Sequence, residues 1–211
     1  MKTVIAIIMT NVHGGGTPRH AYEMAAEWSR QGVQVLFVYA NDRLIKVFFY
    51  EDGNAYETIR FFDYDGKRLV QLLKEYHVEL IHVEHLLDAE SYMLSIHKEL
   101  QVPLVVTLHD YYFVCPFIQL TNENDIYCEE KGDKSCNECL ARRGFYSATL
   151  EKQVKDIKKW REHWLSFLQE ASLIIVPSKD MEQRIKKYFP LSSIQMGENP
   201  ELISAESSDI H

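Results

Sequence analysis

The stretch Val4-Ile5-Ala6-Ile7-Ile8-Met9-Thr10-Asn11-Val12-His13-Gly14-Gly15-Gly16-Thr17-Pro18 decides the fold. Its first six residues are apolar without alternation, the pattern of a strand buried on both faces of a sheet. His13-Gly14-Gly15-Gly16 then forces a loop. Thr17 is placed to cap a helix, with Pro18 at the first helical position, where its missing N–H costs nothing. Ala21, Met24, Ala25 and Trp28 share one helical face, and Gly32 closes the helix. A second apolar strand follows over residues 33–40. Strand, glycine loop, helix and strand form the opening of a parallel sheet.

The same alternation continues along the chain. Residues 45–51 and 56–62 read as a hairpin at the sheet edge, joined by the turn-forming Asp52-Gly53-Asn54. A helix over 66–76 precedes a strand over 80–83, and a helix over 89–100 precedes a strand over 104–108. Residues 109–146 then show no clear period and hold all four cysteines. A loop of that length inside a domain is functional or cross-linked as a rule. A long helix is expected over 147–170, with Val154, Ile157, Trp160, Trp164, Phe167, Leu168 and Ala171 as its apolar stripe. A strand over 173–176 and a helix from Pro177-Ser178 to Tyr188 complete the pattern. The fold class is therefore α/β: an open, mostly parallel sheet with helices on both faces. One domain is expected over 1–196, with a Cys-containing insertion at 109–146 and a polar tail at 197–211.

Composition narrows the function classes. The 211 residues leave room for one sizeable domain, and 46% hydrophobic with 26% charged residues is the balance of a folded chain. Lys and Arg number 23 against 31 Asp and Glu, a net charge of −8. Such a chain is poorly suited to sequence-independent nucleic-acid binding, so no nucleic-acid partner is expected. No apolar run approaches the roughly 18 residues a membrane span requires, and the N-terminal run is shorter than a signal-peptide core of about 7–15 residues. The expected location is cytoplasmic, where cysteines are reduced thiols or metal ligands.

Four groups of residues could carry chemistry. In open parallel sheets, ligands bind beyond the carboxyl ends of the strands. His13, Gly14, Gly15, Gly16 and Thr17 lie there, and a glycine loop leading into a helix N-terminus suits a phosphate or sugar; the plainer alternative is a flexible turn. His109-Asp110 follows a strand in the same way, as does His85, which places imidazoles where polar contact or proton transfer is useful. The histidine spacing does not favour a metal. Cys115, Cys128, Cys136 and Cys139 end in a Cys-x-x-Cys pair, which suits a structural zinc; two disulfides and four unlinked thiols are the alternatives. Arg142, Arg143, Lys152, Lys155, Lys158, Lys159 and Arg161 make a basic segment, read as a solvated face or as a contact with an anionic membrane surface.

Residues 5–23, IAIIMTNVHGGGTPRHAYE, resemble the opening of family-four GT-B glycosyltransferases. Residues 105–116, VVTLHDYYFVCP, resemble the T-x-H-D-Y-x-x-x-C-P stretch of bacterial members that build polysaccharides. The later cysteines and Ile174-Ile175-Val176-Pro177-Ser178 are similar to those members too. The resemblance covers nearly the whole chain, as the Rossmann-like, acceptor-side half of the enzyme. It implies retaining transfer of a hexosyl unit from a nucleotide-sugar donor to a glycan or lipid-linked acceptor, with no metal required; the basic segment adds the inner face of the membrane as a place for a cytoplasmic chain to act. It implies that Gly14, Gly15 and Gly16 approach the donor diphosphate and the acceptor. His109 would lie near the reacting centre, with Asp110 and Tyr111 beside it. The family holds the donor nucleotide on a C-terminal domain with an E-x7-E motif. Glu162 and Glu170 match that spacing by accident, within a helix of the first half. The donor-binding half is expected to be missing, and the chain alone to be inactive. Two further readings are a non-catalytic module that pairs with a separate donor-domain subunit, and half of a nucleotide-sugar epimerase.

Overall fold

The structure is a computed structural model that describes residues 2–10, 15–41, 43–51, 53–87, 89, 91–145 and 154–197. Eight strands form one sheet: β1 (Val4–Met9), β2 (Gln34–Asn41), β3 (Leu44–Glu51), β4 (Asn54–Phe62), β5 (Leu80–Val83), β6 (Leu104–Thr107), β7 (Leu173–Val176) and β8 (Ile194–Met196). Their order is β4-β3-β2-β1-β5-β6-β7-β8. The β2–β3 and β3–β4 pairs are antiparallel and every other pair is parallel. The fold is the α/β, Rossmann-like arrangement that the alternation of strands and helices implied.

Strand β1 lies at the centre and all six of its residues are buried. Side chains alternate across a strand, so each half of this apolar run joins a different core. Ile5, Ile7 and Met9 meet Val35 and Phe37 beneath Ala21 and Ala25 of helix α1 (Gly16–Arg30). Val4, Ala6 and Ile8 face the larger core. That core collects buried residues from α2 (Lys67–Glu75), α3 (Ile96–Leu100), α5 (Ile157–Leu168) and α6 (Lys179–Tyr188). The remaining helix, α4 (Asp133–Arg142), buries none of its residues fully. Among the described residues no helix is long and apolar enough to cross a membrane.

Several local expectations change. Helix α1 is capped by Gly15, two residues before Thr17, because Gly15 adopts φ 81° and turns the chain into the helix earlier. Pro18 then sits within the first turn, where backbone N–H groups have no intrahelical partner. The helix expected over 147–170 is described only as α5 over Ile157–Leu168. Residues 154–156 are not helical, and Asp156 caps α5 by accepting the Lys159 N–H at 3.0 Å. Residues 146–153 lie outside the described residues. The segment over 89–100 divides into a 3₁₀ turn at Ser91–Ser95 and the short α3. Strand β8, three residues with only Ile194 buried, is too short to show a period. The turn residue Asp52 and the tail beyond residue 197 lie outside the described residues.

Aromatic packing anchors the long loop after β6. Tyr112 and Phe113 pack edge-on against Trp160 and Trp164 of α5. The Trp160 indole N–H donates to the Tyr112 carbonyl at 3.1 Å. Each such ring contact contributes roughly 0.5–1.5 kcal/mol beyond burial. Together they pin the segment that begins at His109 to the body of the domain.

Candidate functional site

The carboxyl ends of β1, β5 and β6 lie side by side, with the start of α1 above them. Glu84 is the residue directly after β5, and its N–H donates to the Ile8 carbonyl of β1 at 2.9 Å. Its side chain is fully buried. One carboxylate oxygen, Oε2, accepts from two rings: His20 Nδ1 at 3.1 Å and His109 Nε2 in a short hydrogen bond. His20 stands in the second turn of α1, and His109 lies two residues beyond β6. The two rings meet edge to face at 4.9 Å between centroids. From within β5, His82 brings Nε2 to 3.3 Å from the other oxygen, Oε1, without hydrogen-bond alignment, and 2.7 Å from Thr107 Oγ1.

This arrangement determines the charges. Burial works against the Glu84 carboxylate, but hydrogen bonds from His109 and His20 outweigh it, joined by the charge His82 and His109 carry once protonated at low pH, holding the carboxyl at about 2. Burial pushes His82 down to about 4, opposed by the charge of Glu84 and reinforced by the neighbouring His20 and His109. Glu84 is thus an anion and His82 neutral near pH 7. An ionised carboxylate only accepts hydrogen bonds, so the proton on His109 is held at Nε2. In the neutral ring, Nδ1 is left as an acceptor toward solvent or substrate. His20, Glu84 and His109 also each offer a ligand atom, all within 4.8 Å of one another. Both ring nitrogens point at a single carboxylate oxygen through protons, which is the geometry of a hydrogen-bonded cluster.

The expected site residues divide into distinct roles. His109 is at the centre. Asp110 has partners on both oxygens: Oδ2 accepts from His85 Nε2 at 3.0 Å and Oδ1 accepts the Tyr112 N–H at 2.8 Å. His85 Nδ1 accepts the Leu87 N–H at 3.0 Å, so His85 and Asp110 form a brace between the loops after β5 and β6. Tyr111 donates its hydroxyl to Asp180 at 3.2 Å and faces the loop that follows. Gly15 and Gly16 open α1, which has no side-chain cap and no acidic residue in its first turn. Among the described residues a Cβ added at either glycine would meet nothing within 4 Å, which leaves room for a ligand beside this N-terminus. Thr17 lies within that first turn. His13 and Gly14 lie outside the described residues.

Glu84, His20 and His82 were not singled out in the sequence. A visible signal existed: Leu80-Ile81-His82-Val83-Glu84 places a carboxylate at the end of a short apolar strand, at the sheet edge where ligands bind. His20 has no comparable local signature, since it occupies an ordinary helical position.

The cysteine segment is built differently. Cys115, Cys128, Cys136 and Cys139 are unlinked and line one cavity of about 380 Å³. Burial pushes the Cys115 thiol up to about 12, and the other three sulfurs add to that. The arginines of the basic segment are engaged in holding this region. Arg143 donates to the carbonyls of Thr121 and Asn122, and Arg161 to the carbonyl of Val114 and to Asp133. Arg142 pairs with Glu123 at 3.2 Å, and Lys152 lies outside the described residues. Glu170 pairs with Lys98 at 2.6 Å and His97 at 3.1 Å, a structural use consistent with an accidental match to the donor motif.

The sequence profile of Glycosyltransferase Family 4 matches residues 14–196. No curated protein matches the sequence. Among solved structures, Anabaena Alr3699/HepE in complex with UDP-glucose superposes over 94% of this chain and 44% of its own, with a TM-score of 0.53 and 12% identity. An α-glucosyltransferase in complex with UDP and a 13-mer DNA containing an HMU base matches 95% of this chain and 43% of its own, with a TM-score of 0.48 and 14% identity. The chain spans less than half the length of these solved structures.

Proposed function

Because the chain belongs to glycosyltransferase family 4, we propose that it is the acceptor-side domain of a retaining enzyme. That enzyme moves a hexosyl unit from a nucleotide sugar to a glycan or lipid-linked acceptor in polysaccharide biosynthesis. The observation that carries this reading is the Glu84–His109 pair at the carboxyl edge of the sheet, beside the uncapped N-terminus of α1. In this reading the acceptor hydroxyl donates to His109 Nδ1 and is oriented for attack on the anomeric carbon. The N–H groups of Gly15 and Gly16 face the donor diphosphate, whose charge the helix terminus favours. The hydroxyl oxygen forms the new bond to the sugar as the bond to the diphosphate breaks, and its proton leaves with the diphosphate or through His109.

The acceptor side has a second support. A cavity of about 320 Å³ opens between the loop after β5 and helix α5, lined by Leu86, Leu94, Tyr112, Trp160 and Trp164, with Lys159 and His163 among its walls. Aromatic faces and a cation suit a sugar or lipid tail that carries phosphate. A lipid-linked acceptor would place the reaction at the cytoplasmic face of a membrane. We read the donor nucleotide as held mainly by a second domain, since the chain spans less than half of the solved structure it superposes on. No metal enters this chemistry.

The test is sugar transfer by this domain joined to its donor-binding domain, with labelled nucleotide sugars and glycan or lipid-phosphate acceptors. His109→Ala is expected to lower turnover about 100-fold or more with the fold retained and melting lowered, since the buried Glu84 carboxylate loses a hydrogen bond. Wild-type turnover in that variant would overturn the role of His109. The 211-residue chain alone is expected to transfer no sugar, and turnover by it would overturn the need for a second domain.

A further inference from the structure

The four cysteines come from three separate places in the segment after β6. Cys115 closes a tight turn, its N–H donating to the Tyr111 carbonyl at 2.7 Å. Cys128 follows the Thr121–Tyr127 bridge, its N–H donating to the Leu120 carbonyl at 2.9 Å. Cys136 and Cys139 sit on α4 three residues apart, which places both sulfurs on one helical face. All four line the same cavity. Helix α4 buries no residue fully, so apolar burial alone is a weak reason for it to stay against the domain. Four cysteines lining one space are a soft ligand set of the kind that holds a tetrahedral zinc.

We propose that Cys115, Cys128, Cys136 and Cys139 bind one structural Zn²⁺ that clamps α4 and the 115–128 loop to the domain. Each ligating thiol gives its proton to solvent as the zinc–sulfur bond forms. Among the described residues the four sulfurs do not form a close group of ligand atoms of the kind that His20, Glu84 and His109 form. Binding therefore requires the sulfurs to draw together on a helix already tied to the domain, where Asn137 donates to Asp156 and accepts the Ile157 N–H, both at 2.8 Å, and Arg161 pairs with Asp133. The site differs from the histidine cluster in chemistry and in place, and does not depend on the transfer reaction.

The chain is purified without chelator and its metal measured by mass spectrometry, then titrated with Co²⁺ after removal of metal. One zinc per chain, thiols shielded from alkylation, and the absorption bands of tetrahedral cobalt–thiolate are expected. The pair Cys136→Ser with Cys139→Ser should lose the metal. The more conservative Cys128→Ser should weaken binding at least about 10-fold while leaving the sheet's circular dichroism intact. Chelation of wild type should expose residues 122–132 to protease. Absence of metal with four freely alkylated thiols overturns the proposal. So does a mass lower by two hydrogens per bridge, which would mark disulfides.

Discussion

Glu84 accepts a hydrogen bond from His109 Nε2 across the carboxyl ends of neighbouring strands β5 and β6. The carboxylate is fully buried and the ring is partly exposed, so Glu84 can fix the proton while the ring keeps a face toward solvent, where the proposed acceptor would bind. Glu84→Gln keeps the shape and removes the charge. Turnover is expected to fall about 10–100-fold with little change in KM, because Glu84 acts through the ring rather than on the substrate. Steady-state kinetics of the enzyme with its donor-binding domain checks this, and an unchanged kcat would exclude Glu84 as a positioning residue.

His82 makes stability depend on pH. Its folded value of about 4 lies below the ordinary 6.5, so between those values the unfolded chain binds the proton more readily. Stability is therefore full above pH 6.5 and declines as pH falls toward 4, by on the order of 3 kcal/mol. Glu84 adds a second decline from about 4.5 to about 2, as its depressed carboxyl is protonated. Urea denaturation across this range should show both segments. His82→Gln should flatten the upper one and leave the lower one, and identical slopes in the two proteins would refute the assignment.

The two glycines at the start of α1 should separate. Gly15 has φ 81°, so Gly15→Ala is expected to cost about 1 kcal/mol in stability. Gly16 does not adopt a left-handed conformation and has open space where a Cβ would stand, so Gly16→Ala should leave stability within about 0.5 kcal/mol. On the proposed reading, in which Gly16 faces the donor diphosphate, the added methyl group is expected to raise KM for the nucleotide sugar. Thermal melting and kinetics together decide between an open cradle and a plain turn.

Asp110 braces two loops through His85 and the Tyr112 N–H. Asp110→Ala leaves both donors without their acceptor and should destabilise the domain by about 1–3 kcal/mol. Asp110→Asn keeps one amide oxygen and should lose less. If alanine left the denaturation midpoint unchanged while abolishing transfer, Asp110 would belong to the chemistry instead.

Much of this molecule can be read along the chain. The unbroken apolar run of β1, the glycine loop and the repeated alternation of short strands with helices led to a parallel α/β sheet, because burial on both faces leaves a local mark on each strand. The position of His109 was equally legible, since a polar residue just past an apolar strand lies at the ligand edge of such a sheet. Helix α4 was not, because its inner face is only partly buried and carries few apolar residues, Cys136 and Leu140 among them, too few to mark a period. Gly15 replaced Thr17 as the cap for a related reason: a left-handed φ at a glycine moves the start of a helix without changing its apolar face.

The partners of His109 belong to the tertiary structure alone. Glu84 lies 25 residues before His109 and His20 lies 64 before Glu84, yet all three meet because β5 inserts between β1 and β6. Hydrophobic periodicity determines which segments become strands and which face each one buries. It does not determine strand order, and strand order decides which residues stand together at the carboxyl edge. The same holds for the four cysteines, whose common cavity is formed by a turn, a bridge and a helix that only the folded chain brings together.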